Sequence, residues 1–550
     1  MKIGVDLDNT LIDYERAFLA AANHLKIHLP PSVQTKPAIR EFVRSTQDGE
    51  LVWQRLQGLA YGNCALAHAK LYPGVKRFLW RCRELGHKVT IVSHKTKYGH
   101  HDPEKVPLRA VSSAFLTNQG ITDDEGGLVN RVTYHNAYED KISFIKSQCF
   151  DWFIDDLMEV IVDLSEITGL NKVRFHPTRF QNHQDIIDGG MISRVSNWQQ
   201  IDALINGQWT YQELEKLSYE LVQSNATNID KLTEGGNGGV YRLALNDGRN
   251  VKLKIYPVDP DHDRLFSEVM VARGLTGPGR QYIADLIALD FDLGVGVYDW
   301  IDGDPVQGVE QIDLQASLSF LEALHTIKNS EQFLDAPVAS AACFSGQDIE
   351  NQINSRILHF NLPRLQYPEL DSFFIEIFLP TMRKLISWAK ENWPKQDGYT
   401  NALTKTERCL SPSDFGFHNA IRRKDGTLAF TDFEYFGWDD PVKLISDFSY
   451  HPGMKLSEVQ RMFWLNAAIN IYGKNLSERL NVCRPLYGMI WCLILLNDFR
   501  TEVWERRLLA DDTKLFNKNT ILVQQLKKAQ ELLAEITRSY PKVFQKDSHL

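Results

Sequence analysis

Three things are scarce in this chain, and each scarcity excludes a class of protein. Positive charge is not in excess: 61 Lys and Arg stand against 70 Asp and Glu, a net charge of -9. A surface that tracks nucleic-acid phosphates would show a basic surplus, so no nucleic-acid partner is expected. Cysteine is sparse. The seven (Cys64, Cys82, Cys149, Cys343, Cys409, Cys483 and Cys492) are odd in number, scattered and without paired metal spacing, which predicts a reducing, cytoplasmic setting and no disulfide framework. Long apolar runs are missing. The longest, Leu486 to Leu496, is too short to span a bilayer and reads as a buried helix. The first apolar stretch is broken by Asp6 and Asp8, where an export signal needs continuity. No membrane partner is expected, and no internal repeat or low-complexity tract is found. What remains is a globular composition over 550 residues, more than one core usually supports, so two or three domains are expected.

The first informative stretch is Lys2 to Val5, a short apolar strand that runs directly into Asp6-Leu7-Asp8-Asn9-Thr10. In an open α/β sheet, reactive residues belong at the carboxyl ends of strands. Two carboxylates one residue apart can divide labour there: one attacks phosphorus, the other acts as acid and then as base. A bare Asp-x-Asp is also an ordinary acidic turn. With Thr10 in place, the pattern resembles the first motif of the haloacid dehalogenase superfamily of phosphohydrolases.

That resemblance implies three further sites in order. The apolar strand Lys88 to Val92 ends in Ser93, the residue expected to bind phosphate oxygens. Lys141, at the opening of a helix, is expected to neutralise the phosphate and the aspartyl nucleophile. The strand Phe150 to Ile154 ends in Asp155 and Asp156, which with Asp6 and Asp8 are expected to hold Mg2+. Asp6 would form the aspartyl-phosphate, Asp8 would protonate the leaving oxygen and later activate water, and Thr10 would steady Asp8. The implied fold is a Rossmann-like α/β domain over residues 1–205. The stretch from about 14 to 86, with helical periodicity from Phe42 to Leu71, is expected to form a helical cap. His94 to Gln119, carrying Lys95, Lys97, His100 and His101, reads as a substrate-facing loop. Residues 206–228 read as a linking helix.

The second informative stretch is Leu410 to Asp447. Asp414 and Asn419 lie on one loop, and a short strand from Thr427 to Thr431, after the turn Lys424-Asp425-Gly426, delivers Asp432 beside it. Phosphoryl transfer asks for one carboxylate to take a hydroxyl proton, plus an amide and a second carboxylate to hold a metal. Asp414 suits the first role, Asn419 and Asp432 the second. The stretch resembles the aminoglycoside phosphotransferase and choline kinase family, relatives of the protein kinases. That family usually has His-Gly before the catalytic Asp; here Pro412 and Ser413 occupy those places. The resemblance implies a two-lobed α+β domain over residues 229–550. The glycine-rich turn with Gly235, Gly236, Gly238 and Gly239 would close over nucleotide phosphates. Lys254 would reach them and Glu268 would pair with that lysine. Lys252 faces the same way on its strand, so the choice of Lys254 follows the family's pattern. Val297 to Gly303 would be the hinge, and His325 reads as a core histidine.

Together these imply a bifunctional enzyme, a Mg2+-dependent phosphohydrolase joined to an ATP-dependent (or other nucleoside triphosphate-dependent) kinase. Small-molecule hydroxyls and phosphate esters would be its substrates. Opposed activities on one phosphate would only waste ATP, so successive positions or intermediates are expected, as in surface-glycan precursor synthesis. The alternatives are an antibiotic-type aminoglycoside kinase, with Asp439 and Asp440 facing a cationic drug and an accessory phosphatase, or a regulatory protein with one inactive domain.

Overall fold

A computed structural model describes residues 1–99, 104–123, 126–177, 184–187, 190–232, 239–259, 262–394, 397–504 and 517–540. The chain divides into two compact units near Ala226, with two short segments, Pro257–Pro260 and Asp290–Gly294, counted with the first.

The first unit is built on a seven-stranded sheet: β1 (Lys2–Val5), β2 (Lys88–His94), β3 (Arg131–His135), β4 (Trp152–Asp155), β5 (Asn171–Phe175), β6 (Gln184–Ile187) and β7 (Gly190–Val195). Their spatial order is β3-β2-β1-β4-β5-β7-β6. All described pairings are parallel except β6 with β7. A parallel sheet is covered on both faces, which is why β1, β2 and β4 read as continuous apolar runs. Ile3, Val5, Ile91, Phe153 and Ile154 are fully buried. Gly4 is required by this packing, because a Cβ there would fall 2.5 Å from the Phe153 ring. The register fixes the functional edge. Val5 pairs with Ile91 on one side and Ile154 on the other, so Asp6, Ser93 and Asp155 emerge together at the carboxyl ends of the central strands, where the order of strands reverses.

The helical insertion is shorter than the sequence suggests. Four helices, α1 (Glu15–His24), α2 (Lys36–Arg44), α3 (Gly49–Tyr61) and α4 (Ala65–His68), end at a two-stranded tie between Ile12–Asp13 and Lys70–Leu71. The next helix, α5 (Val75–Glu84), packs on the sheet core through Val75, Phe78, Leu79 and Cys82. Of its arginines, Arg81 is buried. Its guanidinium bonds Asp202 at 2.9 Å and Glu213 at 2.7 Å and lies 4.4 Å from the Trp209 ring centre. Glu213 belongs to Tyr211–Val222, so the expected linking helix is an integral part of the first unit. Removing one partner of such a buried group would leave the others uncompensated.

The second unit has a five-stranded sheet, β8 (Ala226–Lys231), β9 (Gly239–Leu245), β10 (Asn250–Ile255), β11 (Leu286–Asp290) and β12 (Val295–Asp299), in the order β8-β9-β10-β12-β11. A helix, Arg264–Gly274, packs against it through Leu265 and Val269. The rest is mainly helical. Its core includes Phe320, Phe333, Phe374, Phe436, Phe448 and Trp464. Among its helices, Leu476–Phe499 is long and apolar enough to cross a membrane by length and composition, but 78% of its apolar window is buried inside the protein. Core packing accounts for that composition. All seven cysteines are free thiols.

Candidate active sites

In the first unit, Asp6 and Asp155 are carried by the strand ends and Lys141 by the first turn of Tyr138–Gln148. Lys141 Nζ bonds Asp6 Oδ1 and Asp155 Oδ2, each at 2.7 Å, with all three groups buried. Asp155 Oδ1 accepts from the Leu157 amide at 2.9 Å, so both of its oxygens are committed. Oxygens of Asp6, Asp155 and Asp156 lie within 4.8 Å of one another. Burial pushes the Asp6 carboxyl well above its usual range, Lys141 opposes this, and the neighbouring carboxylates push it further. Asp156 is raised to about 7 by burial and by Asp155. Three converging hard oxygen donors whose mutual repulsion favours protonation suit Mg2+, whose charge would relieve that repulsion. Ser93 Oγ is buried beside them and has no hydrogen-bond partner among the described residues. A buried hydroxyl left unsatisfied is costly, and a phosphate oxygen would satisfy it.

Two sequence-based roles change. Thr10 does not steady Asp8: its Oγ1 lies 3.4 Å from Asp6 Oδ2 and from Asp156 Oδ1. Asp8 stands outside the metal-type trio. Its Oδ1 accepts from Lys95 Nζ at 2.8 Å, and Lys95, itself buried, also donates to Ser112 Oγ. Lys95 was expected in a loose substrate loop; it is instead the residue that orients Asp8. His100 and His101 lie outside the described residues, as do Gly235, Gly236 and Gly238 of the glycine-rich turn. Gly239 opens β9, where a Cβ would meet the Tyr241 ring at 2.7 Å.

In the second unit, Lys254 of β10 is buried and held by three carboxylates. Its Nζ is 2.8 Å from Glu268 Oε2 and 3.1 Å from Glu434 Oε2, and it contacts Asp432 Oδ1 directly. Tyr256 Oη donates to Glu268 at 2.6 Å, and Arg264 pairs with Glu434 at 2.8 Å. Lys252, two residues away on the same strand, lies over the Tyr298 ring, and burial lowers its pKa. The strand alternation could not separate the two lysines; the position of Glu268 does.

Asp432 follows β16 (Leu428–Phe430), which pairs with β15 (Ala420–Arg423) after β13 (Gly303–Pro305) and β14 (Cys409–Ser411). The register Ala420 to Phe430, with the Thr431 amide bonding the Asn419 carbonyl at 2.9 Å, sets Asn419 beside Asp432. Asn419 Nδ2 donates to the Asp414 carbonyl at 2.9 Å, which leaves its Oδ1 as a ligand atom. Oxygen donors from Asn419 and Asp432 would hold a magnesium ion. Ser413 and Asp432 both have left-handed backbones, with φ of 66° and 69°. Non-glycine residues in that region cost energy and concentrate at functional loops.

Asp414 is exposed, and its support comes from the chain that follows it. His418 Nε2 is 3.1 Å from Asp414 Oδ1. The His418 ring stacks on His451 with centroids 3.9 Å apart and planes 12° from parallel, and His451 packs edge-on to Trp491. His451 Nδ1 accepts from the Gly453 amide at 3.1 Å, and Trp491 Nε1 donates to Asp447 at 2.8 Å. Partial burial raises the Asp414 carboxyl, but the His418 hydrogen bond and charge outweigh it, so the net shift is downward. Asp414, His418 and His451 also bring ligand-type atoms within 4.8 Å. Parallel stacked imidazoles point their lone pairs side by side rather than at one ion, so the group is read as a brace for Asp414. Sequence reading missed both histidines, since only Asp414 and Asn419 carried the motif.

Asp439 and Asp440 are not a drug-facing pair. Both are fully buried, with Lys443 3.2 Å from Asp439 and Arg479 2.8 Å from Asp440. Asp447 also pairs with Lys443, at 2.9 Å. His325, expected as a core histidine, is half-buried and stacks edge-on with Tyr472, and its Nδ1 has no hydrogen-bond partner among the described residues.

His451 has a consequence for acid stability. Burial, then the neighbouring His418, lowers its pKa to about 4, against the opposing pull of Asp414. In the unfolded chain a histidine binds its proton near pH 6.5. Between those values the unfolded state holds more protons, so stability is present above pH 6.5 and falls as the pH drops toward 4, by as much as about 3 kcal/mol. Denaturant unfolding at pH 7.5 and pH 5 should show this slope, and His451→Gln should flatten it; an unchanged slope would assign it elsewhere.

No protein-family model matches the sequence, and no curated protein matches it. Solved structures do. A spectinomycin phosphotransferase, APH(9)-Ia, in complex with ADP and spectinomycin, is 10% identical over 59% of this chain and 98% of that one, with a TM-score of 0.40. The amicoumacin kinase hAmiN is 13% identical over 60% and 96%, with a TM-score of 0.38. The choline kinase LicA from Streptococcus pneumoniae is 12% identical over 58% and 98%, with a TM-score of 0.36. At identities and scores of this size, the side-chain geometry of each unit is what bears on function.

Proposed function

We propose that the chain is a bifunctional small-molecule enzyme, with an ATP-dependent phosphotransferase in the second unit and a Mg2+-dependent phosphohydrolase in the first. The observation that carries the kinase reading is Lys254, a single buried ammonium bound at once by Glu268 and Asp432. Such a lysine is available to nucleotide phosphates when Asp432 turns to a metal ion. Asp414 takes the proton of the acceptor hydroxyl as its oxygen bonds to the γ-phosphorus and the bond to ADP breaks.

In the first unit, Asp6 attacks the phosphorus of a phosphate monoester, and the ester P–O bond breaks. Asp8, oriented through Oδ1 by Lys95, enters the cycle protonated on Oδ2 and gives that proton to the leaving oxygen. Asp8 then takes the proton of the water that cleaves the aspartyl-phosphate. Lys141 and Ser93 balance and bind the phosphoryl oxygens. A bound magnesium ion would supply further neutralisation of the charge developing on phosphorus. Acting on successive sugar or amino-alcohol intermediates, as in surface-glycan precursor synthesis, the two sites would not undo each other's work.

The test is a panel of sugars, amino alcohols and their phosphates, incubated with the full chain, Mg2+ and ATP. Asp414→Asn should lower phosphorylation by about 10²–10⁴-fold. Asp6→Asn should lower phosphate release by about 10⁴-fold or more. Each variant should keep the other activity. ATP binding with neither activity on any compound would overturn the proposal in favour of a regulatory protein.

A further inference from the structure

The helical insertion carries an ammonium group that the chemistry above does not use. Lys36 opens helix α2, and its Nζ donates to Tyr61 Oη at 2.9 Å, 5.5 Å from the Phe18 ring centre. Among the described residues no carboxylate lies within ion-pair reach of it. Its charge is nonetheless retained: burial lowers its pKa, and Tyr61, then Asp156 and Asp8, more than restore it. Lys95 approaches the same Tyr61 ring, at 5.1 Å from its centre, but is committed to Asp8 and Ser112. Tyr61 is therefore flanked by two ammonium groups, one ion-paired and one not. The direct hydrogen-bond partner of Lys36 among the described residues is this neutral phenol, which leaves ammonium donors uncommitted. At the margin of a substrate site, those donors suit an anion that arrives with the ligand.

Position decides which part of the ligand brings it. Lys141 is bonded to Asp6, on the phosphoryl side. Lys36 shares Tyr61 with Lys95, and Lys95 holds Asp8 at 2.8 Å; Asp8 is the group assigned to the leaving oxygen. The alcohol portion of an ester lies on that side.

We propose that Lys36, with Tyr61, binds a second anionic group on the alcohol portion of the substrate. The first unit's substrates are then phosphate monoesters that also carry a carboxylate or another phosphate. This rests on the phosphohydrolase reading of the same site.

The test uses the full chain as Asp6→Asn with Mg2+, titrated calorimetrically with three esters: phosphoglycolate, a polyol bisphosphate and glycerol 1-phosphate. One charge-assisted contact is worth about tenfold or more in affinity, so at least one of the first two should bind that much tighter than glycerol 1-phosphate. Which one does so identifies the anion. Adding Lys36→Met should bring the ratio near one, while Lys36→Arg should keep it. Equal binding of all three esters, or a loss in Lys36→Met shared equally by all three, overturns the proposal. Hydrolysis by the wild-type chain separates the two readings. Turnover without a preference for anionic esters overturns only the anion site. A Lys36-dependent binding preference without turnover of any ester upholds the anion site and overturns the phosphohydrolase.

Discussion

Lys254→Met is expected to lower kcat/KM for phosphorylation by about 10²–10³-fold, the cost of removing one preorganised donor from a developing charge. The same substitution should destabilise the second unit. Glu268 and Glu434 are buried, and Lys254 is the cation between them and Asp432. Removing it leaves Glu434 its ion pair with Arg264 and strips Glu268 and Asp432 of their direct ammonium partner. Breaking a buried ion pair from one side costs about 3–5 kcal/mol. The two effects separate in the double variant Lys254→Met with Glu268→Gln. Neutralising Glu268 should recover part of the stability, read by thermal unfolding, and none of the activity. Tyr256 Oη, which now donates to the Glu268 carboxylate, can still donate to the carboxamide oxygen that the substitution puts there. If Lys254→Met phosphorylates as fast as the wild type, the lysine is structural and the nucleotide site lies elsewhere.

The choice between Lys252 and Lys254 shows where sequence reading stops. Alternation along a strand puts both on one face, and contacts from beyond the strand distinguish them: Glu268, fourteen residues on, and the more distant Asp432 and Glu434. The strand-end carboxylates were legible for the opposite reason. An apolar run that stops at Asp6, Ser93 or Asp155 states its own edge, and parallel pairing then aligns those edges without further information. Side chains that act through long-range contact were not legible. Lys95 sits in a polar stretch that reads as loop, yet it is buried on Asp8. His418 lies inside the motif, and its function depends on His451, far along the chain. Arg81 and Glu213 carry ordinary surface residue types, and only the packing of their helices makes a buried pair of them. The boundary of the insertion failed similarly. Val75–Glu84 has the apolar periodicity of any amphipathic helix, and nothing in it says which layer it covers. Asp439 and Asp440 read as an exposed acidic pair until Lys443 and the distant Arg479 close over them.

Lys141→Met should cost the first unit both turnover and stability, and the stability cost should depend on magnesium. Lys141 is the ammonium that separates Asp6 from Asp155, at 2.7 Å from each. Without it, two buried carboxylates and their neighbour Asp156 face one another unscreened. Hydrolysis should fall by about 10²–10³-fold through loss of the charge that meets the phosphoryl oxygens. In EDTA the first unit should also unfold more easily, by about 3–5 kcal/mol. A divalent cation bound by Asp6, Asp155 and Asp156 opposes the same repulsion, so Mg2+ should raise the unfolding midpoint more in the variant than in the wild type. Stability gained from a ligand grows with its affinity for the folded state. Affinity should be higher where no ammonium competes for the carboxylates. Activity should not return with the midpoint, because magnesium on the carboxylates does not replace a donor aimed at phosphate. Scanning calorimetry with Mg2+ and with EDTA separates these terms. Equal Mg2+ shifts in the two proteins would mean that Lys141 and the cation do not share a site, and the assignment of Asp6, Asp155 and Asp156 as its ligands would fall with that result.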